Sequence, residues 1–214
     1  YVHNGLRVSD FRPVIKWKLK SDRYFICGRP NSEKCLLEAI DICKKVDAPC
    51  DVVAGRLSVE PTDYCLKVAQ SCTFGSPWAY RGQLSHEDKN KIMARSRATL
   101  ITYGGRDSRN WYSEPFGLVA AESLLVGTPV IGYDCGAFKE IVRHGIDGFV
   151  IPRPNFDEKS EVEQAHDAFF KAMKEVDSLN LEEIRFSAAQ RFSHERMGDQ
   201  YIKLYEEKLN GVNW

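Results

Sequence analysis

The stretch RYFICGRPNSEKCLLEAIDICKKV, Arg23 to Val46, changes its period halfway along. RYFICG is nearly all apolar and rich in aromatic and β-branched residues, as expected of a strand covered on both faces. From Ser32 onward Leu36, Leu37, Ile40, Cys43 and Val46 fall on one helical stripe. A strand that passes through a short loop into an amphipathic helix is the first half of a βαβ unit. The chain then repeats that unit. DVVAGR (51–56), WAYRG (78–82), ATLITY (98–103), PVIGY (129–133) and GFVI (148–151) read as further strands. Between them SHEDKNKIMARSR (85–97) has helical period and opens with a capping box from Ser85 to Asp88. The alternation predicts an α/β fold, a doubly wound parallel sheet of about six strands, with ligands beyond the carboxyl ends of the strands.

After Ile151 the strands stop. EVEQAHDAFFKAMKEV (161–176) places Val162, Ala165, Phe169, Ala172 and Val176 on one face, and HERMGDQYIKLYEEKL (194–209) does the same with Met197, Tyr201, Leu204 and Tyr205. Both stripes read as core-facing. The expected organisation is a single domain over 1–214, with a connecting segment at 1–18, the sheet core at 19–193 and closing helices ending at 194–214.

Bulk properties narrow the function. With 214 residues, 43% hydrophobic and 28% charged, the composition is globular. Thirty basic residues balance thirty acidic ones, so no overall positive field points to nucleic acid. The charge is uneven: Tyr1–Lys34 carries eight basic and three acidic residues, and Asp157–Glu183 nine acidic and three basic. Solvated faces account for both runs. Seven cysteines without a C-x-x-C pair read as buried thiols in a reducing compartment. No apolar run approaches the roughly 20 residues of a membrane span, and the start is not signal-like. The expectation is a cytoplasmic protein. Because the chain opens YVHNGLRVSDFRP, without methionine, it is expected to be a piece of something longer.

Two segments carry candidate chemistry. After the first strand, CGRPNSEK offers Gly28, then Arg29 as a fork of donors and Lys34 folding back from the first helical turn as a point charge. Two cations flanking one loop suit a diphosphate, helped by unpaired amides at a helix start. The second segment, YSEPFGLVAAES, sets Glu114 and Glu122 eight positions apart. Pro115 suits the first helical position and Gly127 the end, so Glu114 precedes the helix and Glu122 lies about two turns inside. Their backbones would stand about 12 Å apart along the axis, roughly on one side. A sugar, two phosphates and a ribose span a similar length. Because LVAAESLLV is otherwise apolar, Glu122 must be paired, hydrogen-bonded or facing a cavity.

Absent motifs matter as well. There is no D-x-D pair, no zinc-ligand spacing among His3, His86, His144, His166 and His194, and no G-x-S-x-G elbow. Neither G-x-G-x-x-G nor the P-loop pattern follows the first strand, and Arg56 occupies the place of the acid that a nicotinamide dehydrogenase needs. No metal and no cofactor are expected.

From HNGLRVSDFRP through CGRPNSEK, YRGQLSHED, EPFGLVAAES and GTPVIGYDCGAFKEIVRHGIDGF to the closing LY, the chain resembles the C-terminal half of family 4 retaining glycosyltransferases of the GT-B fold. The resemblance implies a Rossmann-like domain that binds a nucleotide diphosphate sugar, UDP- or GDP-linked, and transfers its hexose to an acceptor glycan, lipid or protein without a metal. By likeness Arg29 and Lys34 bind the diphosphate, with Gly28 beside them. Glu114 contacts the donor sugar and Glu122 the ribose. The amides of Phe116, Gly117 and Leu118 approach the phosphates, and the backbone around Leu84 meets the base. The family's N-terminal acceptor domain is absent from this chain, so the fragment alone is expected to be inactive. Two features depart from the family: TYGGRDSRNWYS stands where a Pro-Ser pair is usual, and Ser123 replaces a common alanine. A rival expectation is a non-catalytic module that binds a nucleotide or sugar nucleotide.

Overall fold

A computed structural model of the chain describes residues 1–55, 63–72, 76–106, 108 and 112–211. Arg56 lies outside the described residues, as does part of the TYGGRDSRNWYS segment. All six expected strands form: β1 (Tyr24–Cys27), β2 (Cys50–Val53), β3 (Trp78–Gly82), β4 (Thr99–Ile101), β5 (Val130–Tyr133) and β6 (Gly148–Ile151). They make one sheet in the order β3-β2-β1-β4-β5-β6. Every neighbouring pair is parallel, with Phe25 opposite Thr99 and Ile26 opposite Leu100 where the order reverses. The all-apolar runs are explained by this layout, because β2, β4 and β5 are buried at every position.

The helices are α1 (Leu36–Lys45), α2 (Asp63–Gln70), α3 (His86–Arg95), α4 (Leu118–Leu125), α5 (Phe138–Ile141), α6 (Lys159–Glu175), α7 (Leu181–Arg191) and α8 (His194–Leu209). In α1 the stripe of Leu36, Ile40 and Cys43 is buried as read, whereas Leu37 is only half-buried and Val46, at the C-cap, is exposed. Ser85 caps α3 as expected, accepting from the Asp88 amide at 3.1 Å while its hydroxyl donates to the Asp88 carboxylate at 2.8 Å. The α6 stripe also packs: Ala165, Phe169, Ala172 and Val176 are buried.

Three expectations need correction. The first helix starts at Leu36 rather than near Ser32, because Cys35 has left-handed backbone (φ 46°) and Asn31 holds the preceding turn by accepting from the Lys34 amide at 3.1 Å. Lys34 therefore belongs to the loop and not to a helical turn. The second concerns α4, which begins at Leu118 because Gly117 adopts φ 95°, a conformation only glycine reaches without strain. Glu122 is thus the fifth residue of α4, little more than one turn in, and the axial separation of about 12 Å drawn for a continuous helix does not apply. Third, α8 contains no buried residue, and Tyr201 and Tyr205 are exposed. The helix is anchored at its start by Ser193 capping Arg196, by Gly5 donating to the Met197 sulfur at 3.1 Å, and by Leu6 bonded across Phe192 and His194. Beyond that point the stripe residues Tyr201 and Tyr205 are exposed and Leu204 is only half-buried, so amphipathic period alone misplaced it. Among the described residues no helix is long and apolar enough to cross a membrane.

Burial of polarisable acids sets an alkaline limit on stability. Burial pushes the Cys72 thiol from its ordinary 9 up to about 12 and the Tyr24 phenol from 10 up to about 12. Both groups are neutral in the folded and unfolded chains below about pH 8, so their full contribution is present there. Above it the unfolded chain ionises first, and the contribution is lost as the pH climbs toward 12. Unfolding free energy should fall by on the order of 1 kcal/mol per pH unit above about 9. Urea titrations at a series of pH values check this; a midpoint that does not move between about pH 8 and about pH 11 contradicts it.

Candidate functional site

The strand order reverses between β1 and β4, and the loops leaving those two strands bound a crevice at the carboxyl edge of the sheet. A cavity of about 760 Å³ opens there, lined by Gly28, Arg29 and Lys34 from the first loop, Tyr103 from the second, and the Tyr112–Val119 segment leading into α4. Arg29 is exposed and, among the described residues, has no carboxylate partner. Lys34 is enclosed. Its ammonium lies 4.1 Å from the centre of the Tyr103 ring, which supports it through a cation–π contact. That ring is buried and fixed in turn, since the Tyr103 hydroxyl donates to the Cys27 carbonyl at 2.7 Å.

Glu114 meets Lys34 directly across the cavity. Its Oε2 accepts from the Lys34 ammonium in a short ion pair and from the Tyr112 hydroxyl at 2.6 Å, while Tyr112 also accepts from Lys34 at 2.8 Å. Both charged side chains are only 12–13% exposed, so the pair is poorly screened. The backbone at Glu114 is gripped from behind: the Ala137 amide donates to its carbonyl at 2.9 Å, and a Cβ on Gly136 would stand 2.2 Å from that oxygen. Glycine at 136 is what permits this approach. Phe116 leaves the helical path because its ring is buried 6.0 Å from Phe192, edge to face. Residues Leu118 and Val119, whose amides begin α4 and have no intrahelical acceptor, close this side of the cavity.

A second hollow of about 380 Å³ adjoins the first at Gly28 and Arg29 and is lined by Gly55, Gln83, Leu84 and Lys89. Glu122, 9% exposed in α4, is paired here: Lys89 donates to its Oε2 at 2.6 Å, and His86 lies 3.8 Å from its Oε1. The apolar setting of Glu122 is answered by a salt bridge, one of the three resolutions the sequence left open. Among the described residues no group of three His, Cys, Asp or Glu is arranged to hold a metal ion.

Gly28, Arg29, Lys34, Glu114, Phe116, Gly117 and Leu118 thus share one cavity, and Leu84 lies in its neighbour. Glu122 stands apart from Glu114, behind Lys89. Tyr103, Tyr112 and Lys89 were missed by sequence reasoning. Tyr112 lay inside the segment that departs from the resembled family, and that departure was the available signal. Glu38 was missed too: buried in α1, it accepts from the Arg106 amide at 2.8 Å and from the Tyr133 hydroxyl at 2.7 Å, which anchors the loop carrying Tyr103. A lone acid in LLEAI gave the same hint as Glu122 in LVAAESLLV.

Comparison with known proteins follows this geometry. A family described as glycosyl transferases group 1 matches residues 10–178. The GtfA subunit of a UDP-N-acetylglucosamine–peptide N-acetylglucosaminyltransferase from Streptococcus parasanguinis is 29% identical over 100 residues, 46% of this chain and 20% of that protein. Among solved structures, AviGT4, a glycosyltransferase of avilamycin A biosynthesis, superposes with TM-score 0.74 at 22% identity, over 100% of this chain and 59% of its own. Anabaena HepE, solved in complex with UDP-glucose, gives TM-score 0.68 at 19% identity, over 96% of this chain and 57% of its own. At these identities the structural likeness shows the fold, that of GT-B glycosyltransferases, and the chain spans less than two thirds of each of these relatives. Over most of its length, this chain belongs to the group 1 glycosyltransferases.

Proposed function

We propose that the chain is the donor-binding, C-terminal half of a family 4 retaining glycosyltransferase that moves a hexose from a UDP- or GDP-linked donor to an acceptor hydroxyl. The observation that carries this reading is the convergence of Arg29, Lys34, Glu114 and the start of α4 on one cavity at the strand-order switch. The diphosphate lies between Arg29, Lys34 and the free amides of Leu118 and Val119. The base extends toward Gln83 and Leu84, with the ribose near Lys89 and Glu122, and the sugar occupies the Glu114 side. The names of two relatives, GtfA and the HepE complex, favour uridine as the base.

As the anomeric C–O bond breaks, negative charge grows on the leaving diphosphate, where the two cations and the helix start stabilise it in place of a metal. The acceptor oxygen bonds to the anomeric carbon on the face the diphosphate leaves, and its proton passes to the departing phosphate oxygen. Glu114 orients the sugar. Held by Lys34 and Tyr112, its carboxylate is not set up as a free nucleophile. The remaining half of the enzyme supplies the acceptor, so this chain alone binds donor without turning it over.

A thermal-shift panel of UDP, GDP and ADP, with and without attached sugars, tests the reading. One nucleotide series should raise the melting temperature, by an amount that grows with concentration. No shift with any of them at millimolar levels refutes it. The binding-only alternative is excluded if an intact two-domain protein containing this sequence releases nucleoside diphosphate when donor and acceptors are mixed.

A further inference from the structure

The Lys34 ammonium is already engaged on the cavity wall. Of its three N–H groups, one goes to Glu114 and one to Tyr112, and the charge rests on the Tyr103 ring. A diphosphate that recruits Lys34 competes with the Glu114 carboxylate for it. That carboxylate is 13% exposed and would be left as a charge in a poorly solvated wall. Its remaining partner is the Tyr112 hydroxyl, which donates to Oε2 at 2.6 Å. Tyr112 is itself tied down, its carbonyl accepting from the Cys135 thiol at 3.6 Å and from Arg153 at 3.4 Å. Oε1 of Glu114 has no hydrogen-bond partner among the described residues and is the oxygen left for a sugar hydroxyl. Burial, reinforced by the adjacent Glu114 carboxylate, raises the Tyr112 phenol above its ordinary range, so it remains a donor at working pH.

Resting on the donor-site reading above, we propose that Tyr112 is a positioning residue for the donor sugar: it holds Glu114 toward the sugar while the phosphates compete for Lys34. A small side chain at this position could not span the gap. Tyr112 therefore bears on the sugar of the donor and not on its nucleotide, a division that a merely structural residue would not respect.

The test is calorimetric binding of UDP, UDP-glucose and UDP-N-acetylglucosamine to the parent and to Tyr112→Phe. Loss of the hydroxyl should leave UDP affinity unchanged or a few-fold tighter, because Lys34 loses a competitor for the phosphate. Affinity for whichever sugar nucleotide the parent prefers should fall about tenfold, the worth of one hydrogen bond to a charged group. Tyr112→His, which keeps a ring N–H donor facing the carboxylate, should regain part of the conjugate affinity and serves if the phenylalanine variant does not fold. Equal losses for UDP and its sugar conjugate, or no loss for the conjugate, overturn the proposal. Failure of the parent to bind any uridine, guanosine or adenosine diphosphate overturns the donor-site reading itself, and this inference with it.

Discussion

Replacing Asp147 by alanine should cost about 3–5 kcal/mol of unfolding free energy, the largest stability loss expected from a single side chain in this domain. The carboxylate is fully buried in the turn before β6. It accepts from Arg143 through the backbone amide at 3.1 Å, Nε at 2.8 Å and a terminal nitrogen at 2.7 Å. Arg191, from the end of α7, adds a fourth bond at 2.8 Å and also donates to the carbonyls of Glu140 and Ile141 at 2.8 Å, closing the end of α5. One acid thereby ties together α5, β6 and α7. Alanine would leave two half-buried guanidinium groups facing each other, with only the more exposed Glu183, 3.9 Å from Arg143, as a counter-charge. A fall of roughly 10 °C in melting temperature is expected for a domain of this size. Asp177→Ala is the contrast, since its pair with Arg97 is 51% exposed on the acid side, and the change should stay within about 1 kcal/mol. If the Asp147 and Asp177 variants melt together, the buried pair does not have this role.

Asp147 also shows which parts of the molecule could be read in advance. GIDGF helped carry the family resemblance, yet nothing in those five letters reveals that the acid reaches Arg191, forty-four positions away. The central strands were legible because burial on both faces leaves them mostly apolar, a local property. Helix starts were less so: α1 and α4 are each delayed by a left-handed residue, and Cys35 gives no compositional warning of it. The α8 stripe was legible as amphipathic, but amphipathicity does not say whether the partner surface belongs to the same domain. The site divides similarly. Arg29, Lys34 and Glu114 stood in recognisable segments, whereas the bond from Lys34 to Tyr112 spans seventy-eight positions and exists only once β1 and β4 are neighbours. The pairing of Lys34 with Glu114 was likewise hidden. Lys34 was assigned to the diphosphate and Glu114 to the sugar, and the fold puts them in contact.

That contact shapes the expected behaviour of Lys34→Ala, the larger of the two cation deletions. Lys34 is mostly enclosed and its charge poorly screened, so its loss should weaken UDP binding by about 30-fold or more, which is at least about 2 kcal/mol. Arg29 is exposed, so on the donor-site reading Arg29→Ala should cost less and lose its effect as salt is raised. Lys34→Ala has a second consequence. It strands the Glu114 carboxylate with the Tyr112 hydroxyl alone, so the empty protein should also become less stable. The double variant Lys34→Ala, Glu114→Ala removes both charges and should regain part of that stability without regaining any nucleotide affinity. A double-mutant cycle in urea, run beside calorimetry with UDP, separates the two effects. Coupling of about 1–3 kcal/mol in stability, together with a binding loss shared by both Lys34 variants, is the expected pattern. If Lys34→Ala binds the nucleotide as tightly as the parent, the ammonium serves only to neutralise Glu114, and the diphosphate must be held by Arg29 and the start of α4 without it.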